Sequence, residues 1–413
     1  MPAVRIRMRR AAAVGAAVLG ALIVAPAAAA KPDFETWLQQ LKADARADGV
    51  STKTLDIALK NVAPIDRVIE LDRHQPEFMR TFWGYLNNRV TPGVVARGRK
   101  MLAEHKTMLA EIARRYGVPA RYLVAFWGME TNFGAHLGRF PVIDSLATLA
   151  YDERRSAFFR PQLLHALHIV DQGHIAADRM TGSWAGAMGH MQFLPSTFVR
   201  HAVDATGDGR KDIWHSVRDA LASGANYLDS LGWAGDERWG REVVLPEDFP
   251  YRQARLDVQK PLKVWAEKGV RRADGSPLPV VADMQGAILL PQGHEGPAFM
   301  VYDNFRAILD WNRSVNYAIA VGYLADRLVG LPRIQHGRDV ATEPLKRAEL
   351  ITLQTRLNEL GFNAGAEDGI PGPNTRDAIR RFQAAAELPQ DGHPSAALLE
   401  KLRAYAQQRA ESG

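Results

Sequence analysis

The sequence predicts a mainly α protein, a helical body with a small β-containing insertion and a small helical unit at its C-terminal end. Three observations carry that reading. Apolar residues recur at helical spacing through most of residues 33–240. Between 241 and 301 the pattern changes, as Pro246, Pro250, Pro261, Pro277, Pro279, Pro291 and Pro297 interrupt short apolar runs, which suits strands and turns. Finally, a polar stretch from Pro332 to Pro344 separates the body from a compact segment, residues 346–403.

Residues 1–30 read as a signal peptide. Arg5, Arg7, Arg9 and Arg10 form a basic start, Ala11 to Ala25 an apolar centre, and Ala27 to Ala30 a small-residue cleavage site. The apolar run is short for a membrane span, which takes about 20 residues, so export with removal is favoured over an uncleaved anchor. The formal charge of +6 falls to +2 once those four arginines leave, since no acid leaves with them. So low a charge does not indicate nucleic acid as a partner. The chain has no cysteine, which excludes disulfides, thiol catalysis and a lipid-modified cysteine, and implies a soluble mature protein.

Within the body, Leu55, Ala58 and Leu59 keep a helical period, as do Leu102, Leu109, Ile112 and Ala113 before the Gly117-Val118-Pro119 break. Further helical runs cover Leu163 to Val170 and Ala220 to Leu231. Val280-Val281 and Ala287 to Leu290 are the strand-like runs of the insertion. Helix resumes at about Asn304 and continues through Val321 to Leu328. In the C-terminal unit, Leu350, Leu353, Leu357 and Leu360 mark one helix face and Thr375, Ala378, Ile379 and Phe382 another. Asp368-Gly369 and Asp391-Gly392 supply turns, and residues 404–413 read as a frayed tail.

The most informative residue is Glu130. It ends the nearly all-apolar stretch Tyr122 to Met129, the pattern of a buried helix, with Gly134 as a left-handed stop. Poor hydration and the negative end of the helix dipole both push such a carboxyl toward its protonated form. A protonated carboxylic acid near neutral pH is what glycosidic cleavage needs as general acid. The alternative is a solvated glutamate at a frayed end.

Three further segments bear on the choice. In Ser183-Trp184-Ala185-Gly186-Ala187-Met188-Gly189, followed by His190 to Phe198, small residues permit close backbone approach to a ligand or to another helix. Ser183 and Gln192 offer polar side chains beside it. Trp311 to Tyr317 places aromatic and amide groups at helical spacing, either a sugar platform or a buried stripe. Asp204 to Asp212 sets oxygen ligands at positions 1, 3, 5 and 9 with glycine at 6, as in a calcium loop. Lys211 sits where an apolar residue is usual and His215 where the bidentate glutamate belongs. The competing reading is a tight Asx-rich turn, with Asp219 a substitute ligand only if calcium binds.

Taken together, Phe126 to Thr131, Ser183 to Gly189 with Gln192 to Ser196, Asp204 to Trp214, Gly224 to Leu228, and Asn304-Phe305 with Trp311 to Ser314 resemble the membrane-bound-lytic-transglycosylase-B family of peptidoglycan lytic transglycosylases. The tail, with Leu353-Gln354, Asp368-Gly369, Thr375, Phe382-Gln383 and Asp391-Gly392, is similar to the small three-helix peptidoglycan-binding domain. The resemblance implies a lysozyme-like catalytic domain over 31–331, a linker over 332–345 and a peptidoglycan-binding domain over 346–403. It implies one catalytic glutamate at Glu130 and substrate contacts at Ser183, Gln192, Tyr227, Trp311, Asn312, Tyr317 and, by a weaker match, Tyr85. Tyrosine is frequent in the family where this chain has Trp311, so stacking alone carries over there. Calcium at Asp204, Thr206 and Asp208 is implied as a structural ion; no cofactor is required. The partner implied is the glycan strand and the compartment the periplasm. A water-using muramidase and a silent wall-binding protein stand as the alternatives, and an intact Glu130 argues against the second.

Overall fold

The computed structural model describes residues 32–74, 81–337 and 345–412. The signal peptide and residues 338–344 of the linker lie outside them. Short polar side chains open the first helices by accepting from unpaired amides of the first turn. Asp33 caps α1 (Phe34–Ala47) and Ser51 caps α2 (Thr52–Ala58). After α3 (Asp66–His74), Thr81 and Thr91 cap α4 (Phe82–Arg89) and α5 (Pro92–Glu104). Next, α6 (Lys106–Tyr116) stops at left-handed Gly117 and α7 (Ala120–Thr131) starts behind Pro119.

A two-stranded ribbon follows. In it β1 (Phe140–Pro141) pairs antiparallel with β2 (Thr181–Gly182), with α8 (Val142–Tyr151) and α9 (Ser156–Asp171) between them in sequence. Then come α10 (Pro195–His201) and α11 (Val217–Ser230). One continuous apolar core joins these helices and includes Leu123, Leu146, Leu163, Leu221 and Leu324.

The proline-rich segment forms the expected insertion, a five-stranded antiparallel sheet. Its elements are β3 (Gly240–Val244), β4 (Lys260–Pro261) leading into α12 (Leu262–Glu267), β5 (Arg271–Arg272), β6 (Gln285–Leu289) and β7 (Ala298–Val301). The strand order is β4-β6-β7-β3-β5. A second core of Trp265, Ile288, Met300 and Tyr302 lies against it. Val280-Val281 is not a strand, as expected from its apolarity, but an exposed stretch of loop. Two β-branched residues between Pro279 and the Asp283 turn have no strand to pair with.

The last helices of the body are α13 (Asp303–Trp311) and α14 (Val315–Leu328), with a corner at Asn312, where one helix had been expected. Asn312 is extended and Ser314 caps α14, so the polar residues there break the helix rather than decorate it.

The tail is three helices, α15 (Arg347–Glu359), α16 (Pro373–Ala385) and α17 (Ala396–Ser412), around Leu353, Leu357, Phe382 and Leu402. Its two Asp-Gly turns are held alike. Gln354 donates to Asp368 at 3.1 Å and accepts from Gly369 N at 2.8 Å, while Gln383 donates to Asp391 at 2.7 Å and accepts from Gly392 N at 2.9 Å. Helix α17 continues to Ser412, where fraying from 404 had been expected.

The tail rests on the insertion. The His294 amide and ring Nδ1 lie 2.9 and 2.7 Å from Asp391 Oδ2, and Arg255 reaches Asp377 at 2.8 Å. The start of the linker is also fixed, since Glu242 accepts from the Gln335 and His336 amides and Trp83 Nε1 donates to Gly337 O.

Burial alone would raise the Asp391 carboxyl, but hydrogen bonds from His294, the His393 amide and Gln383 outweigh it and hold it at about 2. The same bond raises His294 above its ordinary value against the effect of burial. A raised histidine stabilises below its unperturbed pKa and loses that contribution as pH rises through the raised value. The tail is therefore expected to loosen from the body as pH rises through the raised value of His294. Small-angle scattering against pH should show the radius of gyration rising there, and His294→Gln should abolish that pH dependence. An unchanged radius for the parent protein would show that the pair does not hold the tail.

Candidate active site

Helix α7 carries the acid. Leu123, Val124, Ala125 and Phe126 are wholly buried, fixing the helix in the core against α14 and leaving Glu130, in its last turn, half-buried at the edge. The helix ends earlier than Gly134. Asn132, Phe133 and Gly134 are all left-handed, with φ of 51°, 60° and 82°. Two successive non-glycine residues in that region are costly and persist only where the surroundings impose them. The reversal folds the Phe133 ring back under the helix, and a Cβ on Gly128 would lie 2.7 Å from it, so glycine is needed at that position.

Two donors converge on Glu130 Oε1. Trp311 Nε1 donates to it at 2.9 Å, and the Tyr317 hydroxyl donates to the same oxygen. Burial first, and then the facing Glu130, push the Tyr317 hydroxyl well above its usual range, so it stays a donor. Tyr317 is buried beside the acid, and Trp311 makes a polar contact in addition to its ring contacts. Glu130 also does not stand in a purely apolar frame, since two donors face the carboxylate.

Trp311, the last residue of α13, is wedged among Phe126, Tyr227 and Phe193, with ring centroids 4.6, 5.0 and 5.6 Å away. Tyr227 on α11 is half-buried and close to His201 as well, at 4.7 Å. The Trp311–Tyr317 segment is thus neither a free platform nor a simple core stripe. It is the corner that turns two aromatic donors onto one carboxylate. Asn312 is exposed, with Oδ1 accepting from Ser314 N at 3.1 Å. Tyr85 on α4 is half-buried, with Arg89 over its ring, and faces Tyr317 electrostatically.

The small-residue segment is a tight loop, not a packed helix. Met188 bridges to both Gly182 and Phe193. Ser183 Oγ accepts from the Ala185 and Ala187 amides at 3.3 and 3.0 Å, which leaves its O–H to donate outward. Gln192, left-handed at φ 49°, donates through Nε2 to the carbonyls of Leu137 and Gly189. Its carbonyl oxygen is what it offers a ligand.

Sequence reasoning missed the clamp between this loop and α7. Trp127 Nε1 and His190 Nδ1 are 2.9 Å apart, and Thr131 Oγ1 donates to His190 O at 2.9 Å. Burial pushes His190 down, keeping it a neutral acceptor. A lone histidine in Met188-Gly189-His190-Met191 was the available signal. Asp152, weighed as a second carboxylate, is paired with Arg73 at 3.1 Å, and the adjacent Arg154 and Arg155 hold Asp72.

The loop at 204 closes on itself. Asp204 accepts from Gly207 N at 2.6 Å, Gly209 N at 2.8 Å and Thr206 Oγ1 at 3.1 Å. Asp208 accepts from Arg210 N, and fully buried Asp219 takes the amides of Ala205, Thr206 and Asp212. His215 lies on Asp212 instead of supplying a bidentate carboxylate. The carboxylates are engaged by amides, and among the described residues no three histidine or acidic side chains converge as a metal site.

Comparison with known proteins bears on what this site does. Residues 33–326 match the Transglycosylase SLT domain family, and residues 346–402 match the putative peptidoglycan binding domain. Over 264 residues the chain is 32% identical to membrane-bound lytic murein transglycosylase B of Escherichia coli K12, covering 61% of this chain and 68% of that one. Crystal structures of SltB3 from Pseudomonas aeruginosa, one in complex with NAG-anhNAM-pentapeptide, are 48% identical; that one superposes with a TM-score of 0.87 over 90% of this chain and 99% of that one. The Escherichia coli lytic transglycosylase Slt35 in complex with calcium is more distant, 26% identical with a TM-score of 0.61 over 71% of this chain and 92% of that one.

Proposed function

This chain belongs to the SLT transglycosylase family and is a peptidoglycan lytic transglycosylase, and from that premise we propose that Glu130 serves as its acid and then its base. The bond cut is the β-1,4 link from N-acetylmuramic acid to N-acetylglucosamine. The observation that carries this reading is the convergence of Trp311 and Tyr317 on Glu130 Oε1. Trp311 and Tyr317 both donate to Oε1, so the transferable proton is assigned to Oε2.

Glu130 gives that proton to the glycosidic oxygen as the bond from C1 breaks, and the two donors stabilise the carboxylate that results. The carboxylate then takes the proton of the muramoyl C6 hydroxyl, whose oxygen closes on C1 to form the 1,6-anhydro ring. The nucleophile is tethered to the reacting sugar, so the step has the advantage of an intramolecular reaction and needs no second carboxylate to activate water. Ser183 O–H, the Gln192 carbonyl and Asn312 orient the sugar's N-acetyl and hydroxyl groups, while Tyr227 and Tyr85 line its path. The tail holds the enzyme on the wall and raises the local concentration of strand. Residues 1–30 direct export, and the mature protein works in the periplasm. No helix among the described residues is long and apolar enough to cross a membrane.

Mass spectrometry of muropeptides released from purified sacculi tests the reading. Anhydro-muramic ends are expected; reducing ends, about 18 Da heavier by the added water, would make the protein a muramidase.

A further inference from the structure

The indole of Trp311 has a role that the acid–base assignment of Glu130 does not itself supply. We propose that Trp311 is a positioning residue: its fixed N–H holds Glu130 Oε1 in place, so that Oε2 alone exchanges protons with substrate. The inference rests on Glu130 being the acid and adds which oxygen acts and what dictates the choice.

The two donors differ in kind. A phenolic O–H rotates about its C–O bond and can turn to another acceptor, whereas an indole N–H lies in the ring plane and points where the ring points. The ring cannot turn here. Phe126 and Phe193, both buried, and half-buried Tyr227 pack around it at 4.6, 5.6 and 5.0 Å. The backbone is fixed too, because Trp311 ends α13 and its neighbour Asn312 sets the corner through Ser314 N. The indole N–H therefore meets Oε1 at 2.9 Å whatever the orientation of the Tyr317 hydroxyl. It also cannot be deprotonated in the working range, so it remains a donor both before and after Glu130 gives up its proton. A carboxyl group free to flip would present either oxygen to the glycosidic bond. Held this way, it presents one.

Phenylalanine at 311 keeps a ring for Phe126 and Tyr227 to pack on and removes the donor. A hydrogen bond to a charged group of this kind corresponds to roughly a 10- to 100-fold effect. Trp311→Phe is expected to lower kcat by that amount with KM little changed. Losing a donor to the carboxylate should also move the basic limb of the kcat pH profile to higher pH. Trp311→Tyr, an aromatic that can still donate, should recover part of the rate and bring the limb back. A purely structural role would lower kcat in step with the melting temperature and leave the limb where it was. An unmoved limb, or Trp311→Tyr no better than Trp311→Phe, overturns the proposal. Glu130→Gln run in parallel keeps the two readings apart: activity in that variant defeats the acid assignment, whereas an inactive Glu130→Gln beside an unmoved Trp311→Phe limb defeats this one alone.

Discussion

Glu130→Gln is expected to lower release of muropeptides from sacculi by about 10²- to 10⁴-fold, the contribution of a positioned general acid. The substitution is close to neutral for the fold. A glutamine carbonyl still accepts from Trp311 Nε1 and the Tyr317 hydroxyl, so neither donor is stranded beside a half-buried side chain. What disappears is the transferable proton and the carboxylate that would retrieve one from the C6 hydroxyl. Chromatography of the digest gives the rate, and sedimentation with sacculi should show binding by the tail unchanged. A variant that still releases product at a rate near that of the parent would place the acid elsewhere.

The second large effect is on folding. Gly138 has φ +95°, and a Cβ built on it would lie 2.0 Å from Gly182 O, beside Ser183 N at 2.7 Å. Those atoms belong to backbone that cannot move aside, because Gly182 pairs with Phe140 across the β1–β2 ribbon and Ser183 N is bonded to Ala187 O. Gly138→Ala therefore combines backbone strain with overpacking, and about 3 kcal/mol or more of destabilisation is expected. Gly49 is the internal control. Its φ is +97° but nothing lies within 4 Å of the added Cβ, so Gly49→Ala isolates the backbone cost, about 1–3 kcal/mol. Thermal melts of the two variants should separate clearly, with Gly138→Ala also losing activity as the ribbon displaces Ser183. Equal melting temperatures would mean that the ribbon yields.

Much of the architecture was legible because it rests on local signals. Helical periodicity and the proline-rich break each act within a few residues, and they located the helices, the sheet insertion and the tail. Glu130 could be singled out for a similar reason, since a carboxyl at the end of Tyr122–Met129 contradicts its surroundings. The surroundings it meets in the fold could not be read. Trp311 and Tyr317 lie 181 and 187 residues away, and nothing local to either says that its polar edge faces an acid. An indole announces its apolar area more strongly than its single N–H, which is why stacking was expected and a hydrogen bond was found. The clamp of His190 on Trp127 was hidden likewise, across 63 residues. The loop at 204 shows how one spacing carries two readings. Its spacing is that of a cation loop, but carboxylates at that spacing serve equally to accept the loop's own amides, and buried Asp219 completes that arrangement from outside the motif.

The central claim is that the sugar's own hydroxyl, and not water, closes on C1 once Glu130 has protonated the leaving oxygen. Digestion of sacculi in heavy-oxygen water, followed by mass spectrometry of the released muropeptides, tests it most directly. The account predicts anhydro ends with no heavy oxygen incorporated at C1. Reducing ends carrying one heavy oxygen each would show that water is the nucleophile and would contradict it.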